Sequence, residues 1–194
     1  MYAPRRAAHS LYDVSCAAVG ECVAVGDACA TSNCYPHESR LPLAAQLHAG
    51  TWRPTVLPRA AGPRADAGLT AMHVACPSII WCEATGDLVF DAGGFTATLA
   101  GGAWNTRAAD VPIGHDRYPP GELDCTAVGE CTTAANAAGK PGNVQVAMLR
   151  RHAGTWSARV IALPPEMQGA TNVEGGVTDV DCVSPTASPW AAWA

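Results

Sequence analysis

An all-β repeat fold follows from three signals that recur in the same order along this chain. The first is an apolar residue two places before a cysteine: Val14-Ser15-Cys16, Val74-Ala75-Cys76, Leu123-Asp124-Cys125 and Val180-Asp181-Cys182. The second is another cysteine after five further residues, giving Cys16/Cys22, Cys76/Cys82 and Cys125/Cys131. Two of these segments read CAAVGEC and CTAVGEC. The third is Gly-x-Trp, at Gly50/Trp52, Gly102/Trp104 and Gly154/Trp156, with the tryptophans 52 residues apart both times. Each tryptophan leads into a short run ending in proline, at Pro58, Pro112 and Pro164. A period of about 50 residues marks a tandem array, and in such arrays each unit buries its apolar face against its neighbours.

Within the first unit, residues 11–16 and 22–25 are short β-prone runs. Residues 43–47 and 52–57 follow, set apart by glycine, asparagine or proline clusters. No segment carries a sustained 3.6-residue apolar period with caps, so helices should be few. Four short strands in a unit of this length is the blade pattern of a β-propeller. The expected architecture is one repeat domain over 1–194, a partial β-propeller of three four-stranded blades at about 11–68, 69–121 and 122–176. The start of a fourth falls at 177–194. A β-trefoil, also three units of four strands with a recurring tryptophan, competes with this reading, but the fourth start VTDVDC does not fit it. Unit two drifts from the pattern: Trp81-Cys82-Glu83-Ala84-Thr85-Gly86 keeps the frame but has Thr85 where a small apolar residue is usual. Closed propellers need roughly 4 to 8 blades. The expectation is therefore a piece of a longer protein, or self-association through open blade edges, since unpaired edges invite pairing.

The nine cysteines are dense for a reducing compartment. Five intervening residues make an ordinary hairpin loop. Cysteines facing each other across an antiparallel pair have Cα atoms about 4.5 to 5.5 Å apart, within reach of a disulfide. Bridges Cys16–Cys22, Cys76–Cys82 and Cys125–Cys131 are thus expected, against the alternatives of buried thiols or metal ligands. Cys29 and Cys34 sit in the longer stretch 26–40 and are expected to pin it with a local disulfide. With His37 they supply three zinc ligands, where a closed structural site takes four. Cys182 is left over, and its expected partner position is Ser188.

Hydrophobic residues make up 48% of the chain, which suits a globular protein, while charged residues are scarce at 15% and the net charge is −5. Mild acidity argues against a nucleic-acid partner, because phosphate binding needs a basic face. No stretch approaches the roughly 18 apolar residues of a membrane span. No apolar h-region follows Arg5 and Arg6, so a cleavable signal peptide is absent from the residues given. Set beside the cysteines, this points to a missing N-terminus and an extracellular or cell-surface location, against a cytosolic chain with nine thiols.

The order V-x-C, x5, C-x-A-x-G, variable loop, L-x-x-x-G-x-W resembles repeats in secreted actinobacterial β-propeller proteins, which are commonly grouped with sialidase-like (BNR or Asp-box) propellers. Cys16, Cys22, Ala24 and Gly26 carry the resemblance in the first unit, closed by Gly50 and Trp52, and it extends from Leu11 to Cys182. An Asp-box has aspartate before the glycine, where this chain has Ala49, Gly101 and Ala153. Sialidase chemistry therefore does not follow from the resemblance.

No catalytic constellation emerges from the sequence. Glycosidases need two carboxylates at set distances, and the 17 acidic residues are scattered, often in turns such as Asp87, Asp91 and Asp116. There is no Gly-x-Ser-x-Gly elbow and no phosphate loop around Gly93, Gly94, Gly101 and Gly102. No residue is assigned to catalysis, to a cofactor or to a metal, and no cofactor is implied. His48 and His152 occupy equivalent positions and read as turn-side surface groups, with a ring around the axis as the alternative. Trp52, Trp104 and Trp156 read as blade-packing anchors, with sugar stacking as the alternative. The expected function is a non-enzymatic extracellular binding or scaffold module for an unknown protein or glycan ligand. Recognition would fall to the variable loops 26–40 and 113–122, since loops on a rigid scaffold usually carry it. The alternative is a fragment of a propeller glycosidase whose catalytic residues lie outside this chain.

Overall fold

The computed structural model describes residues 9–29, 40–59, 69–88, 94–108, 120–138, 144–161 and 180–182. Twelve strands fill most of these. Blade one comprises β1 (His9–Ala18), β2 (Glu21–Cys29), β3 (Arg40–His48) and β4 (Thr51–Val56). Blade two comprises β5 (Leu69–Ser78), β6 (Trp81–Leu88), β7 (Gly94–Ala100) and β8 (Ala103–Ala108). Blade three comprises β9 (Pro120–Ala127), β10 (Glu130–Ala138), β11 (Val144–His152) and β12 (Thr155–Ile161). Each blade is a separate antiparallel sheet with its strands in chain order. Three sheets of four consecutive strands make a partial β-propeller, not a trefoil. Among the described residues, no helix is long and apolar enough to cross a membrane.

Turn chemistry explains the second hairpin of every blade and the first hairpin of blades one and three, while the first hairpin of blade two turns on Ile79–Ile80 without a glycine. The Gly-x-Trp motif sits at the second hairpin, where two residues in the left-handed region join the strands. These are Ala49 (φ 48°) with Gly50 (φ 76°), Gly101 (59°) with Gly102 (82°), and Ala153 (48°) with Gly154 (85°). Two successive positive φ values give a turn whose twist matches the strands it joins, which favours glycine. The tryptophan then falls on the outer strand in a fixed register, giving the pairs Leu47/Trp52, Leu99/Trp104 and Arg151/Trp156.

The first hairpin is tighter than a five-residue loop. The strands run past the cysteines and turn on Val19–Gly20 in blade one and Val128–Gly129 in blade three, where Gly20 and Gly129 hold φ near 76° and 78°. Cys16–Cys22, Cys76–Cys82 and Cys125–Cys131 are bridged, with Cα separations of 4.0, 4.1 and 4.0 Å. These fall below the cross-strand spacing expected above, because each bridge lies beside a register shift next to the turn. Cys29 is disulfide-bonded, which removes it as a thiolate ligand; Cys34 and His37 lie outside the described residues. The stretch 26–40 is shorter as a loop than the sequence implied, since Gly26–Cys29 belongs to β2 and Arg40 begins β3. Pro120–Glu122 likewise belongs to β9.

The blades pack through their first strands, with β1 against β5 and β5 against β9. A repeated hydrogen bond fastens them. Ser15 Oγ accepts from the backbone N–H of Cys76 at 3.0 Å, and Asp124 Oδ2 accepts from the N–H of Cys182 at 2.7 Å. Ser15 and Asp124 hold the same place between apolar residue and cysteine, so Val180–Cys182 sits on blade three as β5 sits on blade one. Asp13 adds a second contact at the first junction, its Oδ2 accepting from Val74 N–H at 2.8 Å. On the opposite side of blade one the corresponding surface is open. Val14 is 56% exposed, whereas its counterparts Val74 and Leu123 are 3% and 5% exposed.

Candidate functional site

Alternation along a strand sends successive side chains to opposite faces, so each blade has one face toward the preceding blade and one toward the next. In blade two, Cys82, Ala84, Phe95, Ala97 and Leu99 form the face toward blade one and join Val23, Val25, Ala44 and Leu57 in a single buried apolar cluster. The face toward blade three is different. There Glu83 and Thr85 on β6, Thr96 and Thr98 on β7, and Asn105 and Arg107 on β8 meet Thr133 on β10, Leu149 and Arg151 on β11, and Trp156 on β12. Between these faces lies a cleft of about 770 Å³, within the range usual for small-molecule sites.

Glu83 forms the floor of the cleft and is fully buried. Thr98 Oγ1 donates to its Oε2 at 2.6 Å, and Arg151 Nε stands 3.5 Å from its Oε1. The Arg151 guanidinium also lies over the Trp81 ring, 5.3 Å from the centroid, which fixes the cation in place. Burial pushes the Glu83 carboxyl up to about 7, against the opposing pull of Thr98, Arg151, Trp156 and the more distant Arg107. Burial wins because removing a carboxylate from water costs more than these few partners return. The Trp156 N–H approaches the carboxylate without reaching hydrogen-bond geometry.

Four buried polar atoms of residues lining the cleft make no hydrogen bond: Glu83 Oε1, which has only Arg151 Nε at 3.5 Å, Thr85 Oγ1, Trp104 Nε1 and Trp156 Nε1. Each unmet group costs about 1–3 kcal/mol, so their convergence in one roomy cleft marks a place equipped for a polar guest. Glu83 is the one carboxylate among the described residues lining it.

Of the other sequence candidates, Trp104, Gly154 and Trp156 line the cleft as well, and the rest fall elsewhere. Trp104 packs on the apolar cluster between blades one and two and Trp156 on the cluster of Ala75, Trp81, Leu123, Cys125 and Cys131, while Trp52 stands 46% exposed. Gly50, Gly102 and Gly154 serve the turns. His48 and His152 are exposed, and each pairs with the glutamate of the repeat: His48 Nδ1 lies 2.7 Å from Glu21, and His152 Nδ1 lies 2.6 Å from Glu130. At the base of the stretch 26–40, buried Asp27 accepts from Arg40 at 2.7 Å and from Tyr12 at 3.0 Å. Among the described residues, no group of three or more His, Cys, Asp or Glu could hold a metal ion. Asp87 and the loop 113–119 have no described side-chain placement. Cys182 carries a free thiol, raised by burial.

The chain matches no protein-family model and no curated protein.

Sequence reasoning missed Glu83, counting it among scattered acids. The signal was present: the residue after the second cysteine is Val23 in unit one and Thr132 in unit three, but Glu83 in unit two. A glutamate at that repeat position, two residues from the noted drift at Thr85, marks one altered face.

Proposed function

We propose that the chain is a non-enzymatic, extracellular binding module of propeller type, and that the cleft between blades two and three receives a small polar ligand. The observation carrying this reading is that Glu83 Oε1, Thr85 Oγ1, Trp104 Nε1 and Trp156 Nε1, all buried and without a hydrogen bond, belong to residues lining one cleft. An extracellular setting is favoured by three short-range disulfides, which persist in oxidising compartments. The variable stretches 26–40 and 113–122, which lie mostly outside the described residues, would carry recognition of a protein or glycan partner.

The test is a ligand screen read by the indole N–H resonance of Trp156, assigned by its loss in Trp156→Phe. A small molecule that shifts this signal in the wild type and loses affinity in Glu83→Gln supports the cleft. A screen in which every hit leaves the indole signals of Trp104 and Trp156 unmoved and is indifferent to Glu83 overturns it.

One observation favours a second reading, a propeller glycosidase completed by residues outside this chain. A buried carboxyl raised to about 7 suits a general acid. Glycosidases pair such an acid with a second carboxylate about 5 to 9.5 Å away. Hydrolysis of p-nitrophenyl glycosides by a longer protein that contains this chain and the flanking blades, abolished in Glu83→Gln, would favour the enzyme over the binding module.

A further inference from the structure

The cleft's polar groups restrict the chemistry of its ligand. At the buried end, Glu83 Oε1 has only the long Arg151 contact of 3.5 Å and takes a further donor, the Trp104 and Trp156 N–H groups need acceptors, and the Thr85 hydroxyl takes either. A simple anion satisfies an indole but meets the Glu83 carboxylate as a like charge. A simple cation satisfies Glu83 but leaves the indoles unmet, and it enters a site already holding Arg151 against Glu83 and Arg107 beside it. A hydroxyl does both tasks at once, donating to the carboxylate while accepting from an indole. Leu149 adds apolar surface to the lining, suited to carbon-bound hydrogens. We infer that the cleft between blades two and three binds a neutral, polyhydroxylated ligand of monosaccharide size, its vicinal hydroxyls bridging Glu83, Thr85 and Trp156.

This inference rests on the cleft being a ligand site, as proposed above. The competing occupant is ordered water, which meets the same donors and acceptors. Charge neutrality sets the ligand apart from phosphate or carboxylate compounds, and size sets it apart from water.

The experiment titrates the folded, oxidised chain with D-glucose, D-galactose, D-mannose and myo-inositol, and separately with sodium acetate, inorganic phosphate and ethylammonium chloride. Binding is followed by saturation-transfer NMR and by the Trp156 indole resonance. At least one neutral probe is expected to bind and to shift that resonance. At pH 8, where Glu83 is mostly ionised, Glu83→Gln should weaken it about tenfold, the loss of one hydrogen bond to a charged acceptor. Thr85→Val should weaken it by a few-fold, as for a neutral hydrogen bond. Trp52→Phe, on the solvent side of blade one, should leave it unchanged. Because Glu83→Gln keeps the shape of the floor, circular dichroism can establish that it folds, and Thr85→Val gives an independent reading. If phosphate, acetate or ethylammonium shifts the Trp156 resonance and no neutral probe does, the ligand class is wrong and the cleft as a binding site stands. If no probe of any class shifts it, water is the occupant and both readings fall.

Discussion

The junction between blades one and two and the junction between blades two and three use the same repeat positions for opposite ends. At the first, Val23, Val25 and Ala44 face Ala84, Phe95 and Ala97, and the result is a buried apolar cluster. At the second, the counterparts of the first three residues are Glu83, Thr85 and Thr96. The place of Phe95 is taken by Ala147 and that of Leu99 by Arg151. Losing a phenyl ring opens volume, and exchanging valines for a carboxylate and a hydroxyl makes that volume polar. The lesson is that a repeat fixes the frame while single positions decide whether two blades seal or leave a site between them.

The largest test of this contrast is at Phe95. Phe95→Ala should destabilise the oxidised chain by about 3–5 kcal/mol in urea denaturation, because it empties a sealed junction. Leu149→Ala, bordering the cleft, should cost nearer about 2 kcal/mol, since the deletion enlarges space that already exists. Equal losses would mean that the second junction is packed as tightly as the first.

The next effect comes from Glu83 and depends on pH. Its carboxyl is pushed up to about 7 in the folded chain, from the ordinary value of 4.5 that it keeps when unfolded. Below 4.5 both states hold the proton. Between 4.5 and 7 only the folded state keeps it, so stability falls as pH rises through that window, by on the order of 3 kcal/mol in all. Glu83→Gln, which keeps a neutral group at all pH values, should remove this decline. It should match the wild type near pH 5 and exceed it by about 2 kcal/mol near pH 8. A wild-type chain equally stable at both pH values would show that Arg151 and Thr98 offset the burial of the carboxylate.

A smaller effect should follow from the hydrogen bond between blades. Ser15→Ala removes the acceptor for the Cys76 N–H and should cost about 1 kcal/mol. At the second junction the corresponding residue is Ala75, which has no side-chain acceptor. Ala75→Ser should recover part of about 1 kcal/mol there if blade three approaches as blade two does. Smallest of all should be Val14→Thr, within about 0.5 kcal/mol as for a surface substitution, because that face of blade one is open. A large loss there would mean that the open face is covered in solution.

Much of the frame was legible from residues alone. Cysteine spacing placed the first hairpin of each blade, because a bridge needs facing strands, and Gly-x-Trp placed the second, because its turn demands left-handed backbone geometry. The strands proved longer than the β-prone runs suggested, since pairing extends a ladder past the residues with the strongest preference. Two candidate loops shrank for the same reason. The cleft was legible only as a drift at Thr85. No single-chain pattern says that Thr85, Glu83 and Trp156, from two different repeats, converge on one space.

By itself the sequence determined the period, the strand order within each blade and which residues share a face, because these follow from local alternation and turn chemistry. Only the tertiary structure decided which faces meet, and with that the site. Glu83 becomes a raised, partly unpartnered acid because blade three closes over it and takes its water away. Desolvation depends on surfaces brought together from opposite sides, and a linear pattern does not contain that information.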